Sequence, residues 1–132
     1  MTVFVDTSAF YAVIDHDDEN HDSAKAIWGR LVSARTVLLT NNYVLLETCA
    51  LLQSRLGIGA LRAFQQDAVP LLHIDWVSAH GHHGAVQAAL AAQRRKLSVV
   101  DCASFQTMRE HGSDVAFCFD EHFREQGFSM AR

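Results

Sequence analysis

Three runs of apolar residues, Val3-Phe4-Val5, Val37-Leu38-Leu39 and Val115-Ala116-Phe117-Cys118-Phe119, show no alternation with polar positions. A strand with one face in water alternates, whereas a strand covered on both faces need not, and double covering is the habit of parallel sheets flanked by helices. Leu71-Leu72-His73-Ile74 reads as a fourth strand, with Pro70 tolerated at its first position. The segments between carry helical spacing, over residues 9–14, 23–32, 42–56, 60–68, 78–96, 98–110 and 121–126. In 42–56, for instance, Leu45, Cys49, Leu52 and Leu56 fall on one stripe. Strands alternating with helices predict an α/β fold, a three-layer sandwich with a central, mainly parallel sheet. Right-handed crossovers place helices on both faces. Ligands in such folds bind beyond the carboxyl ends of the strands. A length of 132 residues, without a linker or repeat, predicts a single domain over 1–132.

Composition narrows the class of function. With 49% hydrophobic and 20% charged residues the chain is not of the disordered type. The net charge of −4 gives no global basic footprint, so any contact with nucleic acid must come from a local patch. The odd set of cysteines, Cys49, Cys102 and Cys118, sits in apolar runs and reads as buried hydrophobes, which fits a reducing, cytoplasmic setting. Met1 to Asp6 lacks the basic region of a signal peptide, and no apolar run is long enough to span a bilayer, so no membrane partner is expected.

Four acids stand out. Val3-Phe4-Val5 runs into Asp6, and Phe117-Cys118-Phe119 runs into Asp120, which in a parallel sheet brings both carboxylates to one edge. Either acid alone reads equally as a helix N-cap. Together they repel unless a cation or a proton separates them. Glu47 has apolar neighbours one turn away on either side, Tyr43 and Leu51, and is expected off the solvated face, facing a cleft, a cation or an arginine such as Arg55 or Arg62. Asp101 follows Ser98 by three residues, the spacing of a capping box, a role compatible with metal binding. Four acids at the ends of strands and helices, without a nearby lysine, describe a site for a hard cation such as Mg²⁺ or Mn²⁺. Neither a P-loop nor a nucleophile elbow is present.

Val5-Asp6-Thr7-Ser8-Ala9-Phe10-Tyr11-Ala12, Leu45-Leu46-Glu47-Thr48, Leu97-Ser98-Val99-Val100-Asp101-Cys102-Ala103-Ser104-Phe105 and Phe117-Cys118-Phe119-Asp120-Glu121-His122-Phe123 resemble, in this order, the motifs of the PIN domain. The likeness is to its VapC-type toxin ribonucleases, and it extends to Gly127-Phe128. The resemblance implies a Mg²⁺- or Mn²⁺-dependent endoribonuclease, paired with a cognate antitoxin and acting as a homodimer. The family's acidic quartet carries over to Asp6, Glu47, Asp101 and Asp120. Asp6 and Asp101 are expected as core metal ligands, Asp120 as a further ligand or the holder of a metal-bound water, and Glu47 as a ligand or the group that orients the attacking water. The hydroxyls of Thr7, Ser8 and Ser104 are candidates for binding phosphate or fixing the carboxylates, against plain helix-start hydrogen bonding. Arg94-Arg95-Lys96 is a candidate phosphate clamp, against cations placed at a helix C-terminus.

Other readings meet specific obstacles. His80, His82 and His83, with His73 upstream, form a conceivable zinc cluster, but no second ligand pair stands at a finger spacing. His21 matches a position common in the toxins and reads as near the substrate or as a surface residue before a helix. A dehalogenase-type phosphatase needs a second aspartate where Ser8 stands. A receiver domain needs a mid-chain phosphoacceptor and a late lysine, and neither is evident. The non-enzymatic alternative is a PIN-like scaffold that binds RNA or protein without cutting.

Overall fold

The apolar run ahead of Asp6 becomes the middle strand of the sheet. In the computed structural model, which describes residues 1–132, β1 (Thr2–Val5) lies between β2 (Val37–Asn41) and β4 (Val115–Phe117). The outer strands are β3 (Leu72–Asp75) and β5 (Ser129–Met130), in the order β3-β2-β1-β4-β5. All four pairings are parallel, with Val3 opposite Leu38 on one side and Val115 on the other. The helices are α1 (Thr7–Ile14), α2 (His21–Ser33), α3 (Asn42–Leu56), α4 (Ile58–Ala63), α5 (Ala79–Ala92), α6 (Val99–Glu110) and α7 (His122–Glu125). They flank the sheet as a three-layer α/β sandwich.

Val3, Phe4 and Val5 have no solvent exposure, as a strand covered on both faces requires. Phe4 packs on Phe123 of α7, which meets Phe105 of α6 edge-on at 5.1 Å. A second aromatic group joins Phe10 of α1 to Trp28 and Phe64. The chain leaves β1 for β2 and β3, then returns to the other side of β1 as β4 and β5. The reversal opens a crevice at the carboxyl end of β1, where folds of this type bind ligands.

Several expectations are corrected. Asp120 does not end a strand: β4 stops at Phe117, because the Phe119 amide donates to the Ser8 hydroxyl (2.9 Å) instead of a ladder partner. The fourth strand starts at Leu72, and Pro70 lies in a 3₁₀ turn, Val69–Leu71, where a missing N–H costs little. The helix expected over 60–68 is α4 continued by a π turn, Phe64–Ala68, closed by the Val69 amide on the Phe64 carbonyl. The helix expected over 78–96 ends at Ala92 because Gln93 adopts the left-handed conformation, φ 52°. Arg94, Arg95 and Lys96 therefore lie in the following turn, past the helix cap. Strand β5, two residues long, was not expected from the sequence.

Candidate active site

Asp6 leaves β1 in extended conformation (φ −95°, ψ 161°) and caps α1. Its Oδ2 accepts from the Ser8 amide at 3.2 Å and the Ser8 hydroxyl at 2.8 Å. The side chain is buried, and burial pushes its carboxyl up from 3.8 to about 6. The two bonds from Ser8 pull the other way, while the charges of Asp101 and Glu47 raise it further.

Asp101 sits in the first turn of α6 inside a complete capping box. Its amide donates to Ser98 Oγ (3.0 Å), and the Ser98 amide donates to its Oδ2 (3.1 Å). The Nδ1 of His122 lies 3.2 Å from the same Oδ2 and 3.3 Å from Asp120 Oδ1. The His122 amide also donates to Asp120 Oδ1, at 2.9 Å. One imidazole thus bridges two carboxylates, and ligand atoms of Asp101, Asp120 and His122 lie within 4.8 Å of one another. Sequence reasoning missed His122; its position two residues after a candidate ligand was the available signal.

A pattern runs through these three acids. Asp6 and Asp101 receive their protein hydrogen bonds on Oδ2, and Asp120 on Oδ1. Each carboxylate is therefore held by one oxygen and presents the other without a protein donor. Asp101 and Asp120 bring ligand atoms together with His122, a set that suits a divalent cation, and the charge of Asp101 is felt at Asp6. Burial is the main cause of the raised Asp6 carboxyl, and a cation would relieve the smaller part that comes from the neighbouring charges.

The remaining residues fall unevenly around this centre. Glu47 is exposed, contrary to expectation, because α3 turns Val44, Thr48 and Leu52 inward and leaves position 47 at the border of the buried stripe. No ion pair joins it to Arg55 or Arg62; Arg55 lies over the Tyr11 ring instead, 5.5 Å from its centroid. Of the three hydroxyls, only that of Ser8 touches a site carboxylate. Thr7 Oγ1 donates to the Val44 carbonyl (3.5 Å) and accepts from Thr48 Oγ1, while Ser104 Oγ donates to the Val100 carbonyl (2.9 Å). Arg94 pairs with Glu125 at 2.8 Å, and Arg95 and Lys96 are exposed. His21 is buried, with Nδ1 2.8 Å from the Ala12 carbonyl oxygen. On α5, His82 contacts the Tyr43 hydroxyl, and His80 and His83 are exposed.

Comparison with known proteins agrees with this geometry. Residues 3–129 match the family model of the PIN domain. Over 131 residues, 98% of each chain, the sequence is 34% identical to a protein named 23S rRNA-specific endonuclease VapC20, from Mycobacterium tuberculosis strains CDC 1551 / Oshkosh and ATCC 25618 / H37Rv. The fold superposes on the crystal structure of Mycobacterium tuberculosis VapC20, described as a sarcin-ricin loop cleaving toxin, with a TM-score of 0.82 at 33% identity, covering 96% of both chains.

Proposed function

The chain belongs to the PIN domain family, and on that premise we propose that it is a divalent-metal-dependent endoribonuclease, the toxin of a toxin–antitoxin pair. The observation that carries this reading is the grouping of Asp101, Asp120 and His122 ligand atoms within 4.8 Å of one another, electrostatically coupled to the buried Asp6 at the carboxyl end of β1. The similar protein is named for 23S rRNA, which makes that RNA the first substrate to test.

Asp6, Asp101 and Asp120 would hold the cation, Mg²⁺ or Mn²⁺. The bound ion supplies neutralisation of phosphate charge and a water of lowered pKa. Glu47, exposed on α3, would orient the attacking water and take its proton, a role its charge effect on Asp6 supports. His122 fixes Asp101 and Asp120 relative to one another, and Ser8 fixes Asp6 relative to the loop that carries Asp120. Arg95 and Lys96 precede α6 and are the local cations available for RNA phosphates beside the acids. Thr7 and Ser104 support the site through buried hydrogen bonds between and within helices.

A cognate antitoxin inhibits most directly by sending an arginine into the acidic crevice, since guanidinium pairs with carboxylates in a fixed fork. No helix is long and apolar enough to cross a membrane, and we place the protein in the cytoplasm with its RNA substrate. The working unit is a homodimer, which light scattering at micromolar concentration tests. Cleavage of 23S rRNA by the purified protein, with EDTA, Mg²⁺ or Mn²⁺, tests the activity. Cutting that requires metal and disappears in Asp6→Asn is expected. Cutting undiminished in EDTA refutes the metal requirement, and binding of RNA without cleavage under any metal favours the scaffold reading.

A further inference from the structure

We infer that a furrow along the β5 side of the sheet, lined by Arg30, Arg124 and Arg132, is the track that holds the sugar–phosphate backbone of the RNA as it leaves the acidic centre. The inference rests on the ribonuclease reading and adds to it the surface that carries the substrate. Between α2 and the segment from Cys118 to Arg124 lies a groove of about 410 Å³, with Met130 of β5 on its wall. Ala26 and Arg30 also border a second depression, which Asp22 and Lys25 reach, and Arg124, Met130 and Arg132 border a third. Because they share residues, the three depressions form one continuous furrow. It gathers four cations against two acids, Asp22 and Glu121, in a chain whose net charge is −4.

These cations are uncommitted. Lys25, Arg30 and Arg132 make no ion pair, and Arg124 pairs only with Glu121, at 3.0 Å between two side chains more than half exposed, where a pair contributes little. Like charges gathered in one furrow repel one another. A polyanion relieves that repulsion and gains further from the counterions it releases. Guanidinium suits phosphate in particular, as a planar fork of donors. By contrast, Arg94 is taken up by Glu125, which leaves the run ahead of α6 with fewer free cations than the furrow holds.

The furrow also begins at the catalytic centre. Phe119 lines it, and the Phe119 amide donates to the Ser8 hydroxyl, which itself donates to Asp6 Oδ2 at 2.8 Å. Asp120 is the next residue, and Glu121, again on the furrow wall, follows it. Helix α2 leads into β2 and so runs against the parallel strands, which puts its start at the carboxyl edge. From Ser23 to Arg30 it then descends about 10 Å along the furrow. A strand of RNA held there passes from the Asp120 loop down the flank of α2. Contacts of this kind fix where the strand lies without reading its sequence.

Equilibrium binding of two labelled RNAs of equal length, a 23S rRNA fragment and an unrelated sequence, tests this on the full chain carrying Asp6→Asn to stop cleavage, over a range of KCl concentrations at fixed Mg²⁺. Adding Arg30→Gln with Arg124→Gln should raise Kd at least about tenfold for both RNAs and lower the slope of log Kd against log salt by about 0.7 for each arginine. Glu121→Gln, which removes an acid from the furrow and frees Arg124, should tighten binding instead, a change of sign that damage to the fold does not produce. In the cleaving parent the two arginine substitutions should raise KM and leave kcat unchanged. Both arginines are exposed, and equal thermal melts check that the fold is kept. Unchanged affinity and slope in a protein that binds and cuts RNA overturn the proposal and leave the ribonuclease reading standing; if a poly-glutamate peptide then binds through the arginines, the furrow serves an acidic protein. Loss of affinity for only one of the RNAs also overturns it, since the arginines then read bases. Arginine-dependent binding without cleavage in any metal upholds the track and refutes the ribonuclease reading, and absence of any RNA binding refutes both.

Discussion

Asp6→Asn removes a carboxyl whose ionisation the folded chain resists. Its value moves from 3.8 to about 6 on folding, chiefly by burial, so the native state holds a proton that the unfolded chain has released. Below about pH 3.8 the group is protonated in both states and costs nothing. Between about 3.8 and 6 the unfolded chain releases the proton that the folded protein keeps, and stability falls, levelling off once the buried acid ionises as well. The difference of 3.8 from about 6, at about 1.4 kcal/mol per pH unit, is about 3 kcal/mol by neutral pH. An asparagine carries no such cost, and its oxygen, in the place of Oδ2, can accept both Ser8 bonds. Metal-stripped Asp6→Asn should therefore be more stable than the parent at pH 7, by about 3 kcal/mol. The two should converge towards pH 4. Urea denaturation at steps between pH 4 and pH 7 reads this, and taking the difference between parent and variant cancels the other titrating groups. Added divalent metal at about 100 times its Kd should return about 3 kcal/mol to the parent alone. A parent–variant difference that stays flat with pH refutes the argument that burial sets the Asp6 carboxyl.

Asp101→Asn keeps one acceptor for the Ser98 amide, so metal-free stability should change by less than about 1 kcal/mol, while RNA cleavage falls by at least about 100-fold. Parental cleavage in a less stable variant would reduce Asp101 to a helix cap. Phe64→Ala, in the π turn and edge-on to Phe10 at 5.1 Å, should cost about 3–5 kcal/mol by urea unfolding with cleavage per folded molecule unchanged. A loss under about 1 kcal/mol would mean that this end of the core repacks.

Strand–helix alternation and the order of the acids were legible because burial on both faces and N-capping leave marks within a few residues. Residues 42–56 show this best: expected and observed helix coincide. What was not legible depended on distant partners. Nothing near Phe119 says that its amide bonds to Ser8, yet that bond ends β4 short of Asp120. Gln93 gives no local warning that it takes the left-handed conformation and stops α5. The exposure of Glu47 follows from which stripe of α3 meets the core, and apolar residues on its other faces, such as Leu46 at 71% exposure, blurred that stripe. His122 acquires its importance only when Asp101, 21 residues earlier, is brought beside it.

The position of β1 between β2 and β4 also has a consequence for synthesis. Asp6 and then Glu47 leave the ribosome first, and Asp101 and Asp120 follow only more than 50 residues after Glu47. The crevice needs β4 laid against β1, and no folding of the first 90 or so residues supplies that neighbour. A nascent chain consequently carries two of the four acids and no assembled centre. The ribosome that builds this protein holds an incomplete nuclease until the whole stretch from β1 to Asp120 has left it, and the cutting edge comes into being only then.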